Sequence, residues 1–339
     1  MFPDIKINLI VDKFSLKNFK NLENVDIYNY ESNSEVNDLF GFFKNNLNFR
    51  NGFWRYSLER IFAINDLHRN IPNAKLLHLE SDVLILPNFP FLKFENMNSL
   101  AWCNYNKTKD VASLLFTPSF TKSRWLAEKV LEEFKCNSNV NDMKALSLIS
   151  RKYPKKIKIL PSLPSENKSK LINQNSKTEL NDTSILSAYF DLFGGIFDSA
   201  PIGMWLLGQD PRNHFGKLIL HDDSFISSGD SFVNPSGVTY DINENGCIFI
   251  NDENRRYPLY CVHIHSKEQK VFSSIWITAI SDYIKLTSNK NQITYVKIGI
   301  LLEIYIELLR SRSVIRYVLS QPNIYRKIQK LRSKLKNIK

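Results

Sequence analysis

The chain has 339 residues, 43% of them hydrophobic and 23% charged, which is enough length and apolar content for a substantial core and excludes a disordered or staple-dependent polypeptide. Its four cysteines, Cys103, Cys136, Cys247 and Cys261, stand singly with no C-x-x-C pair, which argues against a zinc ribbon or a dense disulfide framework and for a reducing compartment. The net charge of +11 is unevenly placed: residues 310–339 hold ten Lys/Arg and no Asp/Glu, and taking those ten from 45 leaves 35 basic against 34 acidic residues elsewhere.

The first segment, MFPDIKINLIVDKF, carries Asp4 and Lys6 inside its apolar stretch and reads as a strand over 5–12, not as a signal peptide. A second strand candidate is VDIYNY at 25–30. Residues 53–69 repeat apolar positions at helical spacing, with Phe53, Leu58, Phe62 and Leu67 flanking Ile61 and Ile64, and Pro72 closes that helix. AKLLHLESDVLIL follows as an apolar strand interrupted by an acidic pair and ended by Pro87 and Pro90. Strands are expected at 99–105 and 111–116, and helices at 121–135 and 141–152.

Residues 161–184 shift to Pro, Ser, Asn and Lys and read as a mobile surface loop. A Gly-punctuated segment, 189–216, leads into a β-rich stretch around 217–264, and the remainder from about 270 reads as helical. IGILLEIYIELL at 298–309 is too short to span a bilayer and carries Glu303 and Glu307. The organisation is therefore an α/β domain over 1–270 and a helical C-terminal region over 271–339.

Three clusters carry chemistry. In an extended strand residues i and i+2 face the same way, so Glu80 and Asp82 present two carboxylates together with Ser81 opposite. Such a pair suits Mg²⁺ or Mn²⁺, which prefer carboxylate oxygens and keep positions open for diphosphate; it is equally the pattern of two solvated acids at a strand end. Alternation also places His263 and His265 on one side of their strand, where neutral imidazoles supply nitrogen to a metal or make structural hydrogen bonds, and Lys267 can then reach a phosphate. The third cluster runs from Asp198 through Gly203 to the Asp-Pro-Arg-Asn stretch at 210–213, where small residues admit a ligand close to the backbone or simply turn the chain.

The order of these motifs resembles that of the bacterial and protist glycosyltransferases of GT-A fold whose D-x-D motif is written E-x-D, many of them associated with surface-polysaccharide synthesis. The matching pieces are the Arg-bearing helix with Trp54-Arg55 and Glu59-Arg60, the HLE-x-D-VLI strand, FD-x-A-x-x-G-x-x-L-x-G-x-DPRN, and HIHSK, over residues 50–90 and 190–270. The resemblance implies a Rossmann-like mixed sheet flanked by helices and a nucleotide-sugar donor, UDP- or GDP-linked. It implies that Glu80 and Asp82, with Ser81 between them, hold metal and diphosphate, and that His265 is the preferred third ligand with His263 beside it. Arg60 would touch the nucleotide or its phosphates, and Lys267 a phosphate. Asp198 and Asp142 would be the acids at the donor sugar or acceptor, although Asp142 also sits where helix capping with Asn141 accounts for it. Met204 departs from the polar residue expected after Gly203.

Within 324–338, Ile324, Ile328, Leu331, Leu335 and Ile338 recur at spacings of four and three among Lys and Arg. This basic amphipathic helix suits an anionic membrane surface, where each basic residue contributes about 1 kcal/mol, a short coiled coil, or packing against the body of the protein. Nucleic acid is disfavoured because no aromatic-rich recognition motif accompanies the charge. The expected location is cytoplasmic and peripheral, at the inner face of a membrane, with a glycan or lipid-linked glycan as acceptor.

Overall fold

The structure, a computed structural model, describes residues 5–11, 25–30, 53–137, 140–165, 169–176, 180–210, 213 and 221–265. The expectations for Arg212, Lys267 and the basic tail fall outside these residues.

The chain opens with β1 (Ile7–Val11) and β2 (Val25–Asn29), which pair in parallel. Helix α1 (Phe53–Asn70) follows, then β3 (Leu76–Leu79), β4 (Val83–Ile85) and the short α2 (Phe91–Glu95). Strands β5 (Leu100–Asn106) and β6 (Lys109–Thr117) form an antiparallel hairpin, followed by α3 (Phe120–Cys136), α4 (Asp142–Lys152) and β7 (Ile157–Leu160). Next come α5 (Leu180–Ser187), α6 (Phe190–Phe193), α7 (Pro201–Leu207) and α8 (Ser224–Ser227), and then β8 (Thr239–Ile242), β9 (Ile248–Asp252), β10 (Arg255–Pro258) and β11 (Cys261–His263).

The central sheet has the order β3-β6-β5-β7. Strand β6 is antiparallel to both β3 and β5, and β7 is parallel to β5, so β3, β5 and β7 all run the same way. Every residue of β5 is buried, as befits a strand covered on both faces, and its run Leu100-Ala101-Trp102-Cys103 is correspondingly apolar. One face is covered by α3 and α4, which pack on β6, with α1 alongside. The other carries Ala101 and Cys103 of β5, Leu114 and Phe116 of β6 and Leu160 of β7 in one cluster with Phe89, Phe94, Phe193, Phe197 and Tyr260. The rings of Phe94, Phe193 and Phe197 meet with centroids 5.0 to 6.1 Å apart. The contacts of Phe197 with Phe94 and Phe193 are edge-to-face, a geometry that adds to the area it buries.

The hairpin carries one buried polar knot. Trp102 Nε1 donates to Asp110 Oδ2 at 2.7 Å and Asn104 Nδ2 donates to Asp110 Oδ1 at 2.6 Å. Burial pushes the Asp110 carboxyl above its ordinary value, against these donors. At the far end of α1, His68 is wholly buried, its Nε2 2.7 Å from Ala74 O and its Nδ1 3.3 Å from Thr117 Oγ1, which ties the helix end to the turn before β3 and to the end of β6.

Two features differ from the sequence reading. The run over 75–86 is not one strand: β3 belongs to the four-stranded sheet and β4 pairs only with β11, so the chain changes sheets at the acidic residues. The segment from 161 also departs from a surface loop, since Ser162, Leu163, Ser169, Leu171, Ile172 and Asn173 are buried. Its backbone is fixed by Ser162 N donating to Leu186 O at 3.0 Å and Phe197 N to Pro161 O at 2.8 Å, while Asn173 Nδ2 donates to Ile226 O and Ser231 O. Asn173 thus satisfies two buried carbonyls and Ser169 Oγ accepts from Leu171 N at 3.1 Å, roles that composition alone does not distinguish from solvation.

Asp110→Asn keeps the shape of the knot but sets an amide NH₂ against one of two N–H donors. We expect a loss of about 1–3 kcal/mol in a urea titration, with the slope unchanged.

Candidate metal centre

The site lies where β3 ends. The β3–β6 ladder runs one residue further, with Glu80 N donating to Ser113 O at 2.9 Å, and the chain then turns, with Val83 N donating to Glu80 O at 3.0 Å. On leaving the turn it joins β11: Val83 pairs with His263, and Ile264 N donates to Asp82 O at 2.7 Å. Glu80 and Asp82 thus sit on a turn at the carboxyl end of a sheet strand, the place where open α/β sheets collect ligands. Ser81 between them is exposed.

His263 closes the group. Its Nε2 lies 3.3 Å from Glu80 Oε2 and 3.4 Å from Asp82 Oδ2, and one ligand atom from each of Glu80, Asp82 and His263 falls within 4.8 Å of the others. Burial lowers the His263 pKa to about 4, so the ring is neutral at pH 7 and offers a lone pair. Two carboxylates and an imidazole nitrogen form a donor set for Mn²⁺, Mg²⁺ or a similar divalent ion.

The surrounding charge supports this. Arg60, on the buried face of α1, pairs through Nη1 with Glu80 Oε1 and through Nη2 with Asp142 Oδ2 at 2.5 Å. Glu80 and Asp142 thus share the one guanidinium of Arg60, with Glu80 Oε2 left beside His263. Arg60 Nε, Asp142 Oδ1, His78 Nε2, His263 Nδ1 and His265 Nε2 are shielded from solvent yet have no hydrogen-bond partner among the described residues. Orphaned buried polar atoms are uncommon in folded proteins, and their gathering on one network is a property of sites that take polar ligands or ordered water.

No protein-family model, curated protein or solved structure matches this chain. Its functional reading therefore rests on its own residues.

Several expected residues take other parts. His265 does not join Glu80 and Asp82; it stacks beside His263, ring centroids 4.1 Å apart, because the third donor comes from the residue whose backbone pairs with Val83. Its pKa is pushed well down by burial, and that of His78 to about 3. Asp142 stands on α4 just after the N-cap Asn141, whose side chain accepts from Lys144 N, so the cap is Asn141 alone and Asp142 is the buried partner of Arg60. Arg60 reaches the acidic cluster directly, as a bridge between two carboxylates. Asp198 is 2% exposed. Its Oδ1 accepts from Ala200 N and Ile202 N at 2.8 and 3.0 Å, and its Oδ2 from Gly203 N and His263 N at 2.8 and 2.9 Å. Four backbone N–H groups thus occupy its two oxygens, which makes it a fastening point for backbone where the sequence suggests an acid at the donor sugar or acceptor. Burial raises its pKa against the pull of these donors.

Sequence reasoning missed the task of Gly203. A Cβ there would stand 1.9 Å from His263 O, so α7 approaches β11 at a distance only glycine permits. The Asp-x-x-x-x-Gly spacing was the available signal. Just before α7, Ala200 has φ +111°, a strained backbone costing about 1–3 kcal/mol, which the Asp198 hydrogen bonds offset.

Arg60→Met leaves the Asp142 charge buried and unpaired, and we expect it to cost about 3–5 kcal/mol, most of it recovered in Arg60→Met/Asp142→Leu; denaturant melts of the single and double variants check this. A pH dependence follows from the histidines. The unfolded chain takes up protons near pH 6.5, while folded His263 and His78 do so only near 4 and 3, so the unfolded state binds more protons in between. The histidine contribution to stability is then full above about pH 6.5 and falls as pH drops towards 4, so the difference in stability between the parent chain and His78→Gln should shrink over that range in melts taken at stepped pH.

Proposed function

We propose that this chain is a divalent-cation-dependent glycosyltransferase of GT-A type, transferring a sugar from a UDP- or GDP-linked donor to a glycan or lipid-linked glycan. The observation that carries the reading is the convergence of Glu80, Asp82 and His263 at the carboxyl end of β3. A phosphate-bearing donor fits such a site because two or three protein ligands leave coordination positions for diphosphate oxygens. The order of motifs along the chain, an arginine helix, E-x-D, FD-x-A-x-x-G and HIHSK, supports the same class.

In this reading Glu80, Asp82 and His263 hold Mn²⁺ or Mg²⁺, whose chemistry is to neutralise charge growing on the leaving nucleoside diphosphate. The protein's own residues do the positioning. Arg60 holds Glu80 towards the site from α1, and Asp142 holds Arg60 from α4. The neutral His263 ring keeps its nitrogen available near pH 7. Holding an acceptor hydroxyl against an anomeric carbon beside this centre is where much of a transferase's rate would arise.

Among the described residues no helix is long and apolar enough to cross a membrane. The basic residues of 310–339 are the part of the chain suited to an anionic membrane surface, which would bring the site to a lipid-linked acceptor.

Thermal melts with Mn²⁺ and each nucleoside diphosphate test the reading. A ligand at a hundred times its Kd adds about 2.7 kcal/mol, so the midpoint should rise by several degrees with Mn²⁺ plus UDP or GDP and not at all in Asp82→Ala. No shift with any nucleoside diphosphate, with or without metal, removes the proposal. Release of phosphate from simple esters without an acceptor would instead point to a metal-dependent hydrolase on the same acids.

A further inference from the structure

A metal-ligating histidine is ordinarily held by a hydrogen bond on its second ring nitrogen. His263 lacks one: Nδ1 is buried and has no partner among the described residues. Its backbone, by contrast, is gripped on both sides. The N–H donates to Asp198 Oδ2 at 2.9 Å, and the C=O faces the bare Cα of Gly203, where a methyl group would stand 1.9 Å away. The same Asp198 oxygen accepts from Gly203 N at 2.8 Å, and the other accepts from Ala200 and Ile202, so one carboxylate fastens the start of α7 and the end of β11 together. Beyond this point Ile264 N is already engaged by Asp82 O.

We infer that Asp198, with Gly203, is the positioning group for His263: it sets the place of the imidazole through the backbone, where other metal sites set it through the ring. The inference rests on the reading of Glu80, Asp82 and His263 as a cation site, and it assigns Asp198 no contact with substrate. The physical reason is leverage. With no hydrogen bond on Nδ1, the ring is fixed by its packing against His265 and by the peptide beneath it, and donor atoms must fall within a few tenths of an ångström of ideal distance for a hard cation to bind well. Asp198→Asn keeps the volume but turns one acceptor into an NH₂ facing a backbone N–H, so either the Ala200 and Ile202 pair or the Gly203 and His263 pair loses its acceptor.

Two readouts separate positioning from mere support. The first is Mn²⁺ affinity, titrated by paramagnetic resonance well below the melting temperature. The second is the ring spectrum of His263 in metal-free protein, assigned among the six histidines by its loss in His263→Gln. Asp198→Asn should weaken Mn²⁺ binding at least tenfold and displace the His263 ring signals. Leu126→Ala, in the helix layer away from β11, should lower the melting temperature and move neither. If the asparagine variant does not fold, Asp198→Glu retains both acceptor oxygens but shifts them by a methylene, and it too should displace the ring signals. A folded Asp198 variant with wild-type ring signals and wild-type Mn²⁺ affinity overturns the inference. Absence of Mn²⁺ binding in the wild type overturns the proposed function, while the ring signals still decide the role of Asp198.

Discussion

The structure depends on one change of partner by the backbone. Glu80 is the last residue to donate into the four-stranded sheet, and two residues later Asp82 accepts from Ile264, so within a single turn the chain leaves β6 and joins β11. Neither ladder alone would make a site. The sheet brings Glu80 to the carboxyl end of β3 and within reach of Arg60, and the β4–β11 ladder brings His263 opposite Val83. Because strand pairing fixes register, a slip of one residue between β4 and β11 would turn the imidazole to the other face and replace it with a neighbouring apolar side chain. Both residues flanking His263 in the sequence, Val262 and Ile264, are indeed apolar and almost fully buried.

Around this junction Glu80 Oε2 and Asp82 Oδ2 both turn to the His263 imidazole. Arg60 takes one oxygen of Glu80 and one of Asp142, leaving Glu80 Oε2 turned to His263. Asp198, buried to the same degree as Asp142, is spent wholly on backbone N–H groups. Four carboxylates in one region therefore divide into two that face the centre and two that hold it. A buried acid is expensive unless paired, and here the pairing is what fixes geometry.

Much of the frame could be read from the chain. Helices α1, α3 and α4 fall within a residue or two of their expected limits because each carries a full apolar stripe, and β5 and β6 announce themselves by long β-rich runs. The acidic motif was legible as well, since Glu and Asp after Leu-Leu-His-Leu break a buried pattern. What could not be read is tertiary. Alternation allows His263 and His265 equally, and only the pairing of β11 with Val83 chooses between them. Asp198 looks catalytic in sequence because a carboxylate among small residues is common to active sites and to tight backbone junctions. The stretch over 161–176 looks solvated because Ser and Asn are polar, whereas their side chains and backbone answer buried carbonyls and amides brought by residues far along the chain.

The ladder between β4 and β11 also has a bearing on the order of events during synthesis. Strands β3, β5, β6 and β7 with α1, α3 and α4 draw on residues 53–160 and can assemble while later residues are still being added. Strand β4 cannot complete its pairing until residue 263 has emerged from the ribosome, and closure over so long a separation is slow. Until then Glu80, Asp82 and Arg60 form an open acidic turn without its histidine. The assembled centre is thus a marker of a chain translated and folded through β11, and a shorter nascent chain would lack it.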